Sequence, residues 1–257
     1  MVQPRDDGFV HLADYRPPSW RIDQVELEFE LDFNRTTVRA RLHLAPDPDQ
    51  PFTPLVLDGE DLELLGIALD ARALTADEYA ITADGLTLPG LRGAAVLETT
   101  VALAPAANVR LEGLYRSGEL LLTQCEAQGF RRITWFLDRP DVMPTWRTTL
   151  RGARATLPVL LANGNPEGAR ELPDGRHEAS WHNPHRTPSY LFAIAAGALE
   201  SVGTRLSTCE GREMAINVWA APGESARCRF ALEAAERALR WDERRWGRAY
   251  DLDVFNI

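Results

Sequence analysis

The sequence predicts a mainly β fold with one long helix placed late in the chain. Three observations carry this expectation: a strict alternation of apolar and polar residues near the N-terminus, a succession of short apolar runs separated by Gly, Pro and Asp-Gly, and a single helical period that begins only after Gly223. At 257 residues, with 45% hydrophobic and 26% charged residues, the chain can bury one large core or two smaller ones.

The first element is the alternation from Val25 to Asp32, which sets Val25, Leu27, Phe29 and Leu31 on one strand face and acids on the other. Val38, Ala40, Leu42 and Leu44 alternate in the same way with Arg39, Arg41 and His43. Folding the two about Asn34-Arg35 gives a hairpin in which Glu30 faces Arg39, Glu28 faces Arg41 and Glu26 faces His43. A slip of one residue would drive three acids into the core, so charge and hydrophobicity favour the same register.

After a Pro-rich loop the strand candidates are Leu55–Leu57, Leu62–Leu69, Tyr79–Thr82 before an Asp84-Gly85 turn, Leu86–Leu88 and Val96–Leu103. They continue as Leu120–Thr123, Arg132–Leu137, Trp146–Leu150, Ala155–Leu161, His177–Trp181 and Tyr190–Ala196. None carries a helix-length period, so residues 1–196 read as a large all-β domain. The character then changes, and residues 197–257 read as a second unit. In it Cys228, Leu232, Ala235 and Leu239 recur at helical spacing, Glu233–Arg237 and Glu236–Arg240 are favourable pairs, and Gly247 can end the helix. The closing stretch Asp251–Ile257 reads as the start of a strand, so the second unit is expected to be only begun.

The balance of 28 basic against 38 acidic residues gives a net charge of −10, which argues against nucleic-acid and anionic-membrane partners. Every basic residue is an arginine. The absence of lysine excludes a phosphate-loop lysine and every lysine nucleophile. Three scattered cysteines, Cys125, Cys209 and Cys228, offer neither a disulfide framework nor a Cys-x-x-Cys knuckle. No window spans a bilayer and the N-terminus lacks a secretion-signal apolar region, which together predict a cytoplasmic protein.

Several chemical readings fail on spacing. His177-Glu178-Ala179-Ser180-Trp181-His182 carries one residue too many for a His-Glu-x-x-His zinc motif, and on a strand the odd separation sends the two rings to opposite faces. His11 and His43 read as surface or cross-strand residues, and His185 does not complete a ligand set. There is no Gly-x-Ser-x-Gly elbow and no Gly-x-Gly-x-x-Gly after a strand. A glycan-binding module would use Trp135, Trp146 and Trp181 as exposed platforms, although tryptophan is more often a core residue.

The segment from Thr123 to Val142, TQCEAQGFRRITWFLDRPDV, is the richest in unusual residues. With Leu160 to Asn165, Gly175 to His177, Pro188 to Ala193 and Trp241 to Gly247, it resembles the aminopeptidase N family of gluzincin zinc metallopeptidases, bacterial alanyl aminopeptidases in particular. The matching words cover most of residues 115–257, while the first hundred residues match only in strand pattern. The resemblance implies a saddle-like antiparallel β domain over residues 1–196 and the beginning of a thermolysin-like catalytic domain over 197–257. It implies zinc in the complete enzyme, held by ligands beyond residue 257, and none in this fragment, which would be inactive alone. Glu126 matches the acid that holds the free α-ammonium of a peptide substrate, and Gln124 matches a neighbour lining the first side-chain pocket. Without the resemblance Glu126 is an acid at a strand end paired with Arg131 or Arg132. Cys125 would be a small buried hydrophobe, and Asp138-Arg139-Pro140-Asp141 an ion-pair turn that shapes the loop. The implied partners are peptides with a free N-terminus and the missing catalytic domain of the same chain. A non-catalytic β module that binds protein or glycan is the alternative.

Overall fold

The computed structural model describes residues 12–82 and 85–257. His11 and Asp84 of the expected Asp84-Gly85 turn lie outside the described residues. The chain opens with β1 (Trp20–Glu30) and β2 (Thr36–Pro46), followed by β3 (Leu55–Leu57), β4 (Glu63–Leu69), β5 (Arg72–Ala73), β6 (Ala80–Thr82), β7 (Gly85–Leu88) and β8 (Ala95–Leu103). Next come β9 (Gly113–Ser117), β10 (Leu120–Gln124), β11 (Thr145–Ala153), β12 (Val159–Ala162), β13 (Asn165–Glu171), β14 (Arg176–Asn183) and β15 (Ile194–Gly197). The last elements are β16 (Glu200–Ser207), β17 (Glu213–Ala220), α1 (Arg229–Trp246) and β18 (Val254–Asn256).

An eight-stranded sheet in the order β13-β14-β11-β1-β2-β8-β4-β5 forms the largest layer. Its pairings are antiparallel except at the centre, where β1 runs parallel to β11 with Val25 beside Trp146 and Phe29 beside Leu150. A second sheet, β12-β15-β10-β9, carries the Thr123 to Val142 segment at the end of β10. Small sheets β3-β7-β6 and β16-β17-β18 complete the molecule. The apolar faces of the first three sheets share one buried cluster running from Trp20 to Ala196. A separate, smaller cluster joins Leu206, Met214, Ile216 and Val218 to Leu232 of the helix.

The alternation in β1 and β2 buries Val25, Leu27 and Phe29 against Val38, Ala40 and Leu42, as the pattern requires. The register differs from the expected one by two residues: Glu28 faces Arg39, Glu26 faces Arg41, and Gln24 faces His43. A two-residue slip keeps side-chain parity, so the apolar face is unaffected. The connection sets the register. Asp32 Oδ1 accepts the backbone N–H groups of Asn34 and Arg35 at 2.8 and 3.0 Å, and the Thr36 hydroxyl donates to Asp32 O, making a wider loop than a tight Asn-Arg turn. The charges still pair, partly on the diagonal: Glu26 meets Arg41 at 3.3 Å and His43 at 3.0 Å.

Arg132–Leu137 is not a strand. Phe130–Arg132 forms a 3-10 turn, and the rest runs through the interior with one bridge, between Phe136 and Asp58. All six residues from Arg132 to Leu137 are buried, so the segment has no solvent face to alternate against. The strands the sequence did not mark, β5, β9, β13, β16 and β17, include β9 and β13, which pair through main chain while offering few apolar side chains. The helix is close to expectation. Leu232, Ala235 and Leu239 face the small sheet, Arg240 meets Glu236 at 3.0 Å, and Gly247 closes the last turn at φ +65° with its N–H on Glu243 O at 2.8 Å.

Candidate functional site

At the end of β10 the chain turns sharply. Gln124 pairs across to Gly113 of β9, Cys125 drops into the core at 2% exposure, and Gly129 N–H closes the turn on Cys125 O at 2.8 Å. Glu126 lies on this turn, and the Glu126–Ala127 peptide is cis. Glu126 and Gln124 are both exposed, and the Gln124 amide donates to Glu126 O at 3.3 Å.

Two glycines let the turn lie flush against β9. A Cβ on Gly129 would sit 2.5 Å from Gln124 O and 3.2 Å from Gly113 N. A Cβ on Gly113, which sits at φ +70°, would come within 2.7 Å of Arg132 Cβ. Neither approach is possible with a side chain in place.

The arginines that could neutralise Glu126 are engaged elsewhere. Arg131 pairs with Asp138 at 3.1 Å and with Asp58 at 3.5 Å. Arg132, itself buried, pairs with Glu60, Asp61 and Glu112. Among the described residues no ion pair includes Glu126, so the strand-end pairing with Arg131 or Arg132 does not form. Burial pushes the Cys125 thiol well above the ordinary thiol range, and the nearby Asp138 charge pushes it further. Cys125 is therefore an inert packing group.

Asp138-Arg139-Pro140-Asp141 is a turn with an ion pair, as expected, but the pair is Arg139 with Asp141 at 2.7 Å. Asp138 points inward at 1% exposure, and its carboxylate accepts from Arg131 and from the Ser189 hydroxyl. The separate sequence words thus meet in space. Asn163 bonds Leu191 O and Ala193 N–H, and Trp181 Nε1 donates to Leu160 O. The sequence marks Asp138 only as part of a turn, and the signal for its inward role is an acid directly after the apolar run Trp135-Phe136-Leu137.

The other candidate residues stand apart. Trp135, Trp146 and Trp181 are buried, so they form no glycan platform. His177 is buried with its ring nitrogens on Leu157 O at 2.7 Å and Arg154 at 2.9 Å, whereas His182 faces Glu167 at 3.6 Å. His185 faces Asp251 at 3.4 Å and His43 faces Glu26. Among the described residues no group of three or more His, Cys, Asp or Glu side chains is arranged to hold a metal ion. A cavity of about 510 Å³ opens between β10, β12, β15 and the small sheet, lined by Leu122, Ile194, Trp219, Tyr250 and Phe255 among others. Neither Gln124 nor Glu126 lines it. Among the described residues no helix is long and apolar enough to cross a membrane.

Residues 21–191 match the peptidase M1 N-terminal domain family. The chain belongs to this family. It is 45% identical over 248 residues to Aminopeptidase N of Caulobacter vibrioides, covering 96% of this chain and 28% of that protein. It is 38% identical over 261 residues to Aminopeptidase N of Escherichia coli, covering 100% of this chain and 29% of that protein. The fold is similar to that of Legionella pneumophila aminopeptidase A, solved in complex with aspartic acid, with a TM-score of 0.89 and 33% identity. That likeness covers 95% of this chain and 29% of the Legionella chain. The chain therefore spans less than a third of the length of the relatives it matches.

Proposed function

We propose that this chain is the N-terminal, substrate-recognising part of a zinc aminopeptidase that removes single residues from peptide N-termini. Residues 1–196 are its saddle-like β domain and 197–257 the opening of its thermolysin-like catalytic domain. In this reading the zinc belongs to the complete enzyme and is held by ligands beyond residue 257. The free thiols of Cys125, Cys209 and Cys228 fit a cytoplasmic placement.

The observation that supports the reading best is Glu126: an exposed carboxylate on a tightly packed turn, with both neighbouring arginines neutralised by other acids. An α-ammonium has a pKa of about 8, so it is largely cationic at neutral pH. A carboxylate at about 4 Å attracts it by about 1 kcal/mol in water and about 4 kcal/mol where solvent is partly excluded. Such a contact works as a measure of distance. Only a substrate whose terminus rests on Glu126 has its first peptide bond at a fixed reach from that point. Gln124, on the same exposed edge and bonded to Glu126 O, lines the pocket for the first side chain.

Replacing Glu126 by Ala in the complete enzyme is expected to lower kcat/KM about 10²-fold, or roughly 3 kcal/mol, on aminoacyl-anilide substrates. A loss smaller than threefold refutes the role. The 257-residue chain alone is expected to contain no stoichiometric zinc and to cleave none of these substrates, and metal analysis giving one zinc per chain contradicts that.

A further inference from the structure

We infer that Asp138 is the positioning residue that aims Glu126. This rests on the proposed role of Glu126 and adds the device that gives that exposed carboxylate a fixed place.

An exposed turn has few contacts that fix a side chain in place. Among the described residues the Glu126 side chain has no hydrogen bond or ion pair, so its location depends on the backbone on either side. On the near side, Gln124 is fixed in β10 and Cys125 is buried. On the far side the chain enters the 3-10 turn Phe130–Arg132, a short element with little stability of its own.

Asp138 holds that element. Its Oδ2 accepts both the backbone N–H and the Nε–H of Arg131, each at 3.1 Å, and its Oδ1 accepts the Ser189 hydroxyl at 2.6 Å. Its own N–H donates to Asp58 Oδ2 at 3.0 Å, and Arg131 O accepts Glu60 N–H at 3.0 Å. The buried carboxylate therefore ties Arg131, in the segment after the turn, to Ser189 of the 188–191 segment, while the Asp138 N–H and the Arg131 carbonyl join the same stretch to the Asp58–Asp61 loop. Because Gly129 packs against Gln124 O and Gly113, a shift of Phe130–Arg132 has no slack to absorb it and is passed to Glu126. Charge-assisted bonds to a buried acceptor are the strong kind, which suits a lock of this sort.

The test compares the binding of leucine and of 4-methylpentanoate, which lacks only the α-ammonium, as inhibitors of the complete zinc enzyme. The wild type is expected to favour leucine, and Glu126→Ala to abolish that preference. In Asp138→Asn, leucine binding is expected to weaken about tenfold while 4-methylpentanoate binding stays within twofold, since only the ammonium contact is misplaced. Ser189→Ala, which removes one bond and leaves Arg131 held, is expected to weaken leucine binding about threefold by the same reasoning. It decides the matter if Asp138→Asn does not fold. Asp138→Asn and Ser189→Ala variants that keep the wild-type preference, beside a Glu126→Ala that loses it, overturn the inference alone. A Glu126→Ala that keeps the preference overturns the underlying reading. Equal weakening of both inhibitors also overturns the inference, because that marks general damage rather than misaim.

Discussion

Phe130 offers a sharp test of how the candidate turn is joined to the core. The ring is fully buried and meets Phe136, Trp146 and Phe192 edge-on, at centroid distances of 4.8, 5.2 and 5.2 Å. Trp146 belongs to β11 in the large sheet, so this one side chain couples the 3-10 turn after Glu126 to the centre of the fold. Removing about 150 Å² of buried ring at roughly 25 cal/mol per Å² costs about 4 kcal/mol. Large-to-small core substitutions of phenylalanine cost about 3–5 kcal/mol by measurement, and three edge-on contacts place this site toward the upper end. For a chain of this size each kcal/mol moves Tm by about 2–4 °C, so Phe130→Ala should melt roughly 8–20 °C below wild type. The assay is urea unfolding of the 257-residue chain followed by tryptophan fluorescence, with thermal melting alongside. Phe230, 74% exposed on α1, supplies the control, and its alanine variant should stay within about 0.5 kcal/mol of wild type. A Phe130→Ala loss below about 1 kcal/mol would refute the claim that the turn is anchored through this ring.

Three further outcomes are expected. Gly113→Ala places a Cβ 2.7 Å from Arg132 Cβ at a backbone φ of +70°, and should cost about 2–3 kcal/mol in denaturant titration, where a neutral result would show that the glycine contact is dispensable. The Glu178 carboxyl is held below the usual range by Arg170 and, against the opposing effect of burial, by Arg151. Its stabilisation is therefore complete above the ordinary glutamate pKa and is lost as pH falls through the depressed folded value, so Glu178→Gln should flatten part of the acid limb of a stability–pH curve and leave a smaller loss on acidification. Titration with a thiol reagent under native conditions should modify exposed Cys209 and leave Cys125 untouched until urea is added, and prompt modification of Cys125 would contradict its burial.

The parts of the fold that were legible in the sequence are those where one face is wet. β1 and β2 announce themselves because Val25, Leu27 and Phe29 alternate with acids, and parity survives a change of register. The register itself was not legible, because the choice between two even registers depends on the Asp32 side chain folding back onto Asn34 and Arg35. Arg132–Leu137 was misread as a strand for the opposite reason: a segment buried on every side leaves no polar phase to read. Strands such as β13, with Glu167, Arg170 and Glu171 on its exposed edge, are strands only because β14 lies beside them. At the candidate site, the residue types of Gln124, Cys125 and Glu126 were conspicuous, but Asp58, Glu60 and Asp61, which help to engage Arg131 and Arg132, come from a segment about seventy residues away and no local pattern names them.

The side-by-side union of β1 with β11 also dictates how the polypeptide must come together during synthesis. Gln24 and Thr145 are adjacent in that ladder, so roughly 120 residues separate the two halves of the central seam, and closing a loop of that size costs about 4 kcal/mol of chain entropy. A nascent chain leaving the ribosome can assemble the neighbouring β1, β2 and β8 early, but the open flank of β1 waits for residues beyond Ala153 to emerge. Until then an unsatisfied row of amides lies along an apolar ribbon, which is the interval in which a holdase chaperone would find its target.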